Sequence, residues 1–208
     1  GYTNAAGTVF GGVNNVAGVG IRIDNGAAAL VRANKIAQTG GWGAIEVVNT
    51  NGATIGGAAL VDANVIRNSA ADGVRLENNS NITVQNNDID TTVRVGIWGG
   101  NVNTANILNN IVKNDLLGGV GSIHADGGST WNVSGNDIDN GDYGIRLNGT
   151  GGANLIFGNQ IDGMTLEGIR GDNVSNLTVS GNTIGLSGNG AITGISLFGG
   201  LNTRVVNN

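Results

Sequence analysis

Apolar and polar residues alternate along this chain in short bursts, and the bursts return at a near-constant interval. The segment Asn81 to Ile89, NITVQNNDI, sets the pattern. It returns as WNVSGNDI from Trp131, LIFGNQI from Leu155 and LTVSGNTI from Leu177, and more loosely as ALVRANKI from Ala29 and ALVDANVI from Ala59. Each copy carries a β-branched residue three positions before an Asn and another two positions after it. The anchors are Asn34, Asn64, Asn87, Asn110, Asn136, Asn159, Asn182 and Asn208, spaced 30, 23, 23, 26, 23, 23 and 26 residues apart. Val31, Val61, Val84, Ile107, Val133, Ile156, Val179 and Val205 precede them, and Ile36, Ile66, Ile89, Val112, Ile138, Ile161 and Ile184 follow. A second motif comes after each anchor: a small residue, Ile or Val, any residue, then usually an apolar one. Its copies are AIEV from Ala44, GVRL from Gly73, GIWG from Gly96, SIHA from Ser122, GIRL from Gly144, GIRG from Gly168 and GISL from Gly194, with GIRI from Gly20 in an earlier, less regular turn.

Alternation with a period of two is strand patterning, and no window shows helical spacing with caps. Each repeat therefore predicts three short strands joined by bends rich in Gly, Asn and Asp. A unit that cannot bury its apolar face alone does so by stacking on its neighbour. The expected fold is an all-β, single-stranded parallel β-solenoid of about eight coils of about 23 residues. Each strand pairs with its counterpart one coil away, about 4.8 Å distant. The inward Ile and Val columns form the core. The anchor Asn residues form an internal ladder that bonds along the stack and satisfies backbone groups at a bend, a structural rather than catalytic role. The V-x-x-N-x-I and G-I-x-L motifs resemble the right-handed parallel β-helix of the pectate-lyase-like superfamily over residues 14–208. One domain, 1–208, is expected, with an irregular N-terminal part at 1–13 and a C-terminus open in mid-coil.

Composition narrows the partners. The chain has 208 residues with 39 Gly, no Cys and no Pro, 12% charged residues and a net charge of −5. Without Cys there is no disulfide framework and no thiolate metal site. With Lys only at Lys35 and Lys113, nucleic acid is not an expected partner. No apolar run is long enough for membrane insertion.

Stacking turns columns of sequence into a surface. Between the two inward residues of the G-I-x-L strand stand Arg22, Glu46, Arg75, Trp98, His124, Arg146, Arg170 and Ser196. Two positions on stand Asp24, Val48, Glu77, Gly100, Asp126, Asn148, Asp172 and Phe198. Arginine forks bind carboxylates bidentately and a Trp face accepts a sugar ring, so the strip suits an extended acidic glycan. Candidate contacts are Arg75, Glu77, Trp98, Asp126, Arg146, Asn148, Arg170 and Asp172. The resemblance implies that this sheet is the floor of a substrate groove. Removing a proton beside a uronate carboxylate needs a base, a positive group and a proton donor, for which His124, Arg146 and Tyr143 are the candidates. Ca²⁺ is a candidate cofactor, held by Asp126 with Asp172 or by Asp137, Asp139 and Asp142. The Asp-Pro-His-Glu motif of alginate epimerases is absent. So are the Arg-x-x-Pro pattern of pectate lyases and the Asp-Asp and Gly-His-Gly segments of polygalacturonases. Two readings follow. One is a structural or adhesive solenoid outside a bacterial cell, self-associating through its coil ends into filaments and contacting acidic polysaccharide. The other is a polyuronate lyase or C-5 epimerase using the same strip.

Overall fold

The computed structural model describes residues 17–113, 120–185 and 193–208. The expected irregular segment at 1–13 lies outside them. Every strand pairs in parallel with strands one turn away, in three sheets of eight, eight and seven strands. The chain is thus an all-β right-handed solenoid, in which each complete turn contributes one strand to each sheet. No α-helix occurs among the described residues, and one 3₁₀ turn spans Leu60–Asp62. No helix there is long and apolar enough to cross a membrane.

Sheet one carries the G-I-x-L motif in strands Ile21–Asp24, Gly43–Val48, Asp72–Glu77, Ile97–Gly100, Ile123–Asp126, Tyr143–Asn148, Glu167–Asp172 and Thr193–Phe198. Sheet two carries the residues before each anchor Asn, and sheet three those after it. The core is one stack of Val, Ile and Leu from all three sheets. Volume is traded between turns inside it. Trp131 is fully buried, and a side chain at Gly99 would put its Cβ 2.4 Å from the Trp131 ring.

The Asn ladder runs unbroken from Asn34 through Asn64, Asn87, Asn110, Asn136, Asn159 and Asn182 to Asn208, each side-chain amide donating to the next at 2.8–3.0 Å. Asn87 illustrates one rung. Its Oδ1 accepts from the backbone N–H and Nδ2 of Asn64, while its Nδ2 donates to Asn110 Oδ1 and to the Ile55 carbonyl. That uses both donors and both lone pairs of the amide.

The bends explain the composition. The residue after each sheet-one strand is left-handed, and it is Asn at Asn25, Asn49, Asn78, Asn101 and Asn173, with φ of 49–53°. Asn tolerates this region at lower cost than other side chains. The small residue opening the G-I-x-L motif has a different cause. Gly96, Gly144 and Gly168 are not in the left-handed region. A Cβ at these positions would lie 2.1–2.6 Å from the inward Val112, Ile161 and Ile184 of sheet three.

One core position departs from the expected column. Val61 is 84% exposed, on the 3₁₀ turn beside Leu60 at 81%. Its inward place is taken by Ile55, which pairs in register with Val31 and Val84. The longest spacing, 30 residues between Asn34 and Asn64, is therefore an outward loop inserted between Ile55 and an undisturbed ladder residue.

Asn87→Ala removes the acceptor of the Asn64 backbone N–H and of one of the two Asn64 amide hydrogens, together with the donor to Asn110 Oδ1 and the Ile55 carbonyl. The expected loss is about 3 kcal/mol, the upper end for orphaned buried groups. Denaturant unfolding checks it, and a midpoint equal to wild type would remove the ladder from the account of stability.

Candidate functional site

Sheet one is the only sheet whose outer face combines cations, aromatic rings and buried ionisable groups among the described residues. The strip forms as the columns require, with Arg75, Trp98, His124, Arg146 and Arg170 in consecutive register. A second line belongs to the same face, three residues earlier on each strand: Gly43 beside Asp72, and Glu167 between Tyr143 and Thr193. Alternation alone misses this line, because the small residue and the Ile that follow it both turn inward.

The arginines are organised by neighbours. Arg75 bonds Asp72 at 3.2 Å and Glu77 at 3.3 Å, and its guanidinium lies 4.1 Å from the Trp98 ring centroid. Arg146 meets Asp172 at 3.2 Å, and Arg170 meets Asp172 at 2.8 Å and Glu167 at 3.3 Å. Both stand 5.7 Å from the Tyr143 ring, and Arg170 also lies 4.9 Å from Phe198. The hydrogen bond from Arg170, with the charge of Arg146, holds the Asp172 carboxyl below the usual range.

His124 departs from the solvent-facing position that alternation implies. It is 8% exposed, and neither ring nitrogen has a hydrogen-bond partner among the described residues. Burial lowers its pKa to about 4, helped by Arg146 and Arg94 and opposed by Asp126 and Asp172. The imidazole is therefore neutral at pH 7, a weaker base than an exposed histidine. Glu46 also points outward yet is only 2% exposed, with Arg22 on one oxygen at 2.8 Å and its other oxygen unpartnered.

The proposed Ca²⁺ sets are not gathered by the fold. Asp126 and Asp172 flank Asn148 on successive strands, so two strand spacings separate them. Asp126 accepts from the Asn148 amide at 2.9 Å, while Asp172 is held by two arginines. Asp137 and Asp139 lie on sheet three, where Asp137 is 3.5 Å from Lys113 Nζ, and Asp142, at the bend, accepts from the Thr165 hydroxyl. No group of three or more His, Asp or Glu side chains is placed to hold a cation among the described residues.

Three residues absent from the outward columns join the site. Asp72 has no exposed surface, and burial raises its pKa to about 6, with Glu46 adding to the rise and Arg94 and Arg75 opposing it. Arg94 approaches Asp72 Oδ1 at 3.8 Å. Trp42 is 65% exposed, with the Arg75 and Arg94 guanidiniums each 5.7 Å from its ring. Asp72 was legible as the residue opening the Asp-Gly-Val-Arg strand. Trp42 and Arg94 sit in bends, where no period applies.

Comparison with known proteins supports the fold. The profile of the family described as "Right handed beta helix region" matches residues 12–122 and 121–208. Among solved structures, the chain is similar to a mutant of the periplasmic alginate epimerase AlgG at 16% identity and a TM-score of 0.59, with 86% of this chain and 50% of that one covered. A second mutant of the same epimerase aligns at 15% identity and a TM-score of 0.51, covering 82% and 50%. Endopolygalacturonase I from Stereum purpureum aligns at 15% identity and a TM-score of 0.49, covering 90% and 67%. The chain thus spans about half the length of the epimerase. No curated protein sequence matches it significantly.

Asp72 and His124 give the site an unusual pH signature. The folded pKa of Asp72 lies above its ordinary 3.8, so its contribution to stability falls as pH rises from there to about 6. The folded pKa of His124 lies below its ordinary 6.5, so its contribution is lost as pH falls toward about 4. Each shift corresponds to about 3 kcal/mol, and in the wild type the two oppose one another. Relative to wild type, Asp72→Asn should gain stability as pH rises through this window, and His124→Gln should lose it. Urea midpoints across the pH range measure both. Difference profiles that stay flat would mean that neither group is buried as described.

Proposed function

From the premise that this chain belongs to the right-handed β-helix family, we propose that it acts outside the cytoplasm as a solenoid that binds an acidic polysaccharide lengthwise along sheet one. The observation that carries this reading is the repeated pairing of guanidinium groups with aromatic rings on one face: Arg75 at Trp98, Arg146 at Tyr143 and Arg170 at Phe198. A uronate chain offers carboxylates to the former and sugar faces to the latter. The strip advances by one strand spacing per turn, which suits an extended polymer. We place this binding in a structural or adhesive segment of a surface protein, with association between copies along the solenoid axis as part of the same reading.

A second reading is favoured by His124 itself. A buried neutral imidazole whose nitrogens have no partner among the described residues, beside a strand that carries both Arg146 and Tyr143, has the parts for removing a proton next to a substrate carboxylate. In that case the protein is a lyase or C-5 epimerase of polyuronates. The structural similarity to an alginate epimerase is consistent with this but concerns the fold.

Affinity electrophoresis on polymannuronate and polygalacturonate, with a neutral glucan as control, tests binding. Retention on the acidic polymers should weaken with salt and with Arg170→Gln. Equal mobility in all gels would reject the glycan reading. Assays for unsaturated uronate ends and for epimer ratio, with and without Ca²⁺, test turnover. Any activity should disappear in His124→Ala. Activity surviving that change would mean that another group is the base.

A further inference from the structure

Four side chains at one end of the strip remain incompletely satisfied, and they adjoin one another. Asp72 is wholly buried, yet its Oδ1 has no hydrogen-bond partner among the described residues. Arg94 Nη1 is 3.8 Å from that oxygen, beyond bonding distance, and the Arg94 guanidinium makes no side-chain hydrogen bond among the described residues. Arg75 is shared between Asp72, Glu77 and the rings of Trp42 and Trp98. Trp42 stands 65% exposed, on a backbone fixed by the bond from the Asp72 N–H to its carbonyl at 3.1 Å. The other arginines of sheet one differ: Arg22 and Arg170 each hold a carboxylate at 2.8 Å, and Arg146 holds one at 3.2 Å.

A buried carboxylate oxygen without a partner is costly, and so is a guanidinium held in place without a close acceptor. Their side-by-side placement leaves the Arg94 guanidinium, half-buried, beside a largely exposed indole. An incoming carboxylate can take that fork bidentately while its sugar ring rests on the indole. Resting on the reading of sheet one as an acidic-glycan face, we propose that Trp42, Arg75 and Arg94 form a subsite for one uronate unit, and that Asp72 competes with the ligand's carboxylate for the two guanidinium groups.

The competition gives the subsite a pH dependence of definite sign. The charged groups facing Asp72 are Arg75 on its own strand, Arg94 from the bend before strand Ile97–Gly100, and Glu46 from the neighbouring strand. Protonating Asp72 removes the internal competitor, while an exposed uronate stays ionised. Affinity should therefore rise as pH falls from about 7 to about 5. His124 titrates at about 4, below this window.

The experiment is calorimetric titration of the whole chain with short oligomannuronates, using a neutral cello-oligosaccharide as control. Trp42→Ala alters an exposed side chain and Arg94→Gln a half-buried one, and circular dichroism of both should match wild type. Each should weaken binding about tenfold, the scale of one charge-assisted contact. Asp72→Asn keeps the shape, should bind several-fold tighter at pH 7, and should lose the rise in affinity toward pH 5. Wild-type affinity in Arg94→Gln and Trp42→Ala, or weaker binding in Asp72→Asn, overturns the subsite. If those variants bind normally while Arg170→Gln binds poorly, the strip stands and the subsite alone falls. If the wild type binds no oligomannuronate at either pH, the subsite and the glycan reading fall together.

Discussion

The side-chain amide of asparagine is the one group that the rest of this structure depends on. Each solenoid turn must bend the backbone between sheets two and three, which leaves an N–H and a carbonyl pointing into the interior. An amide supplies two donors and two acceptors on a short stem, so a single residue serves the turn below, the turn above and its own column at once. Aspartate would lack the donors and glutamine would overreach. Because every rung bonds to the next, from Asn34 to Asn208, a slip of one residue in any turn would break the chain of amides on both sides. The ladder thus fixes register, and register makes a functional face feasible. Side chains scattered through the sequence become neighbours about one strand spacing apart.

This dependence explains why the fold could be read from the sequence in detail. The ladder column and the inward Ile column after it are dictated by backbone geometry, so substitution is narrow and the period shows. Val61 shows where the pattern breaks. The loop carrying it preserves the V-x-x-N spacing, but a three-residue match cannot distinguish an inward valine from one on an excursion. The displaced residue, Ile55, lies nine positions before its ladder Asn and escapes the motif. Gly96 and Gly144 show a second limit. Their smallness reflects contact with another sheet rather than their own backbone angles, and spacing does not separate the two causes.

The site was legible in part, for similar reasons. Alternation places Arg75, Trp98, His124, Arg146 and Arg170 on one face, and register confirms their order. How deep each side chain lies depends on the length and direction of its neighbours, which a column does not record. Glu46 and His124 are outward by position and buried by their surroundings. Arg94 and Trp42 come from bends, which have no period, and they reach the sheet through long side chains.

The two ends of the strip consequently differ in chemistry although their sequences look alike. Around Asp172, a carboxylate is clasped by Arg146 and Arg170, and the guanidiniums are braced on Tyr143 and Phe198. A ligand carboxylate bound there shares these guanidiniums with Asp172. From Glu46 through Asp72 to His124, the unpartnered polar atoms accumulate, with the Glu167 Oε2 their counterpart at the far end. Burial pushes the Asp72 carboxyl toward its neutral form, so it offsets the cations around it less than an exposed carboxylate would, and it keeps the His124 imidazole neutral. An anionic ligand gains most where a guanidinium has no carboxylate oxygen at bonding distance, provided that the scaffold holding the charge does not have to move. That condition is met where Arg94 stands beside Trp42, and the ladder beneath it keeps the scaffold still.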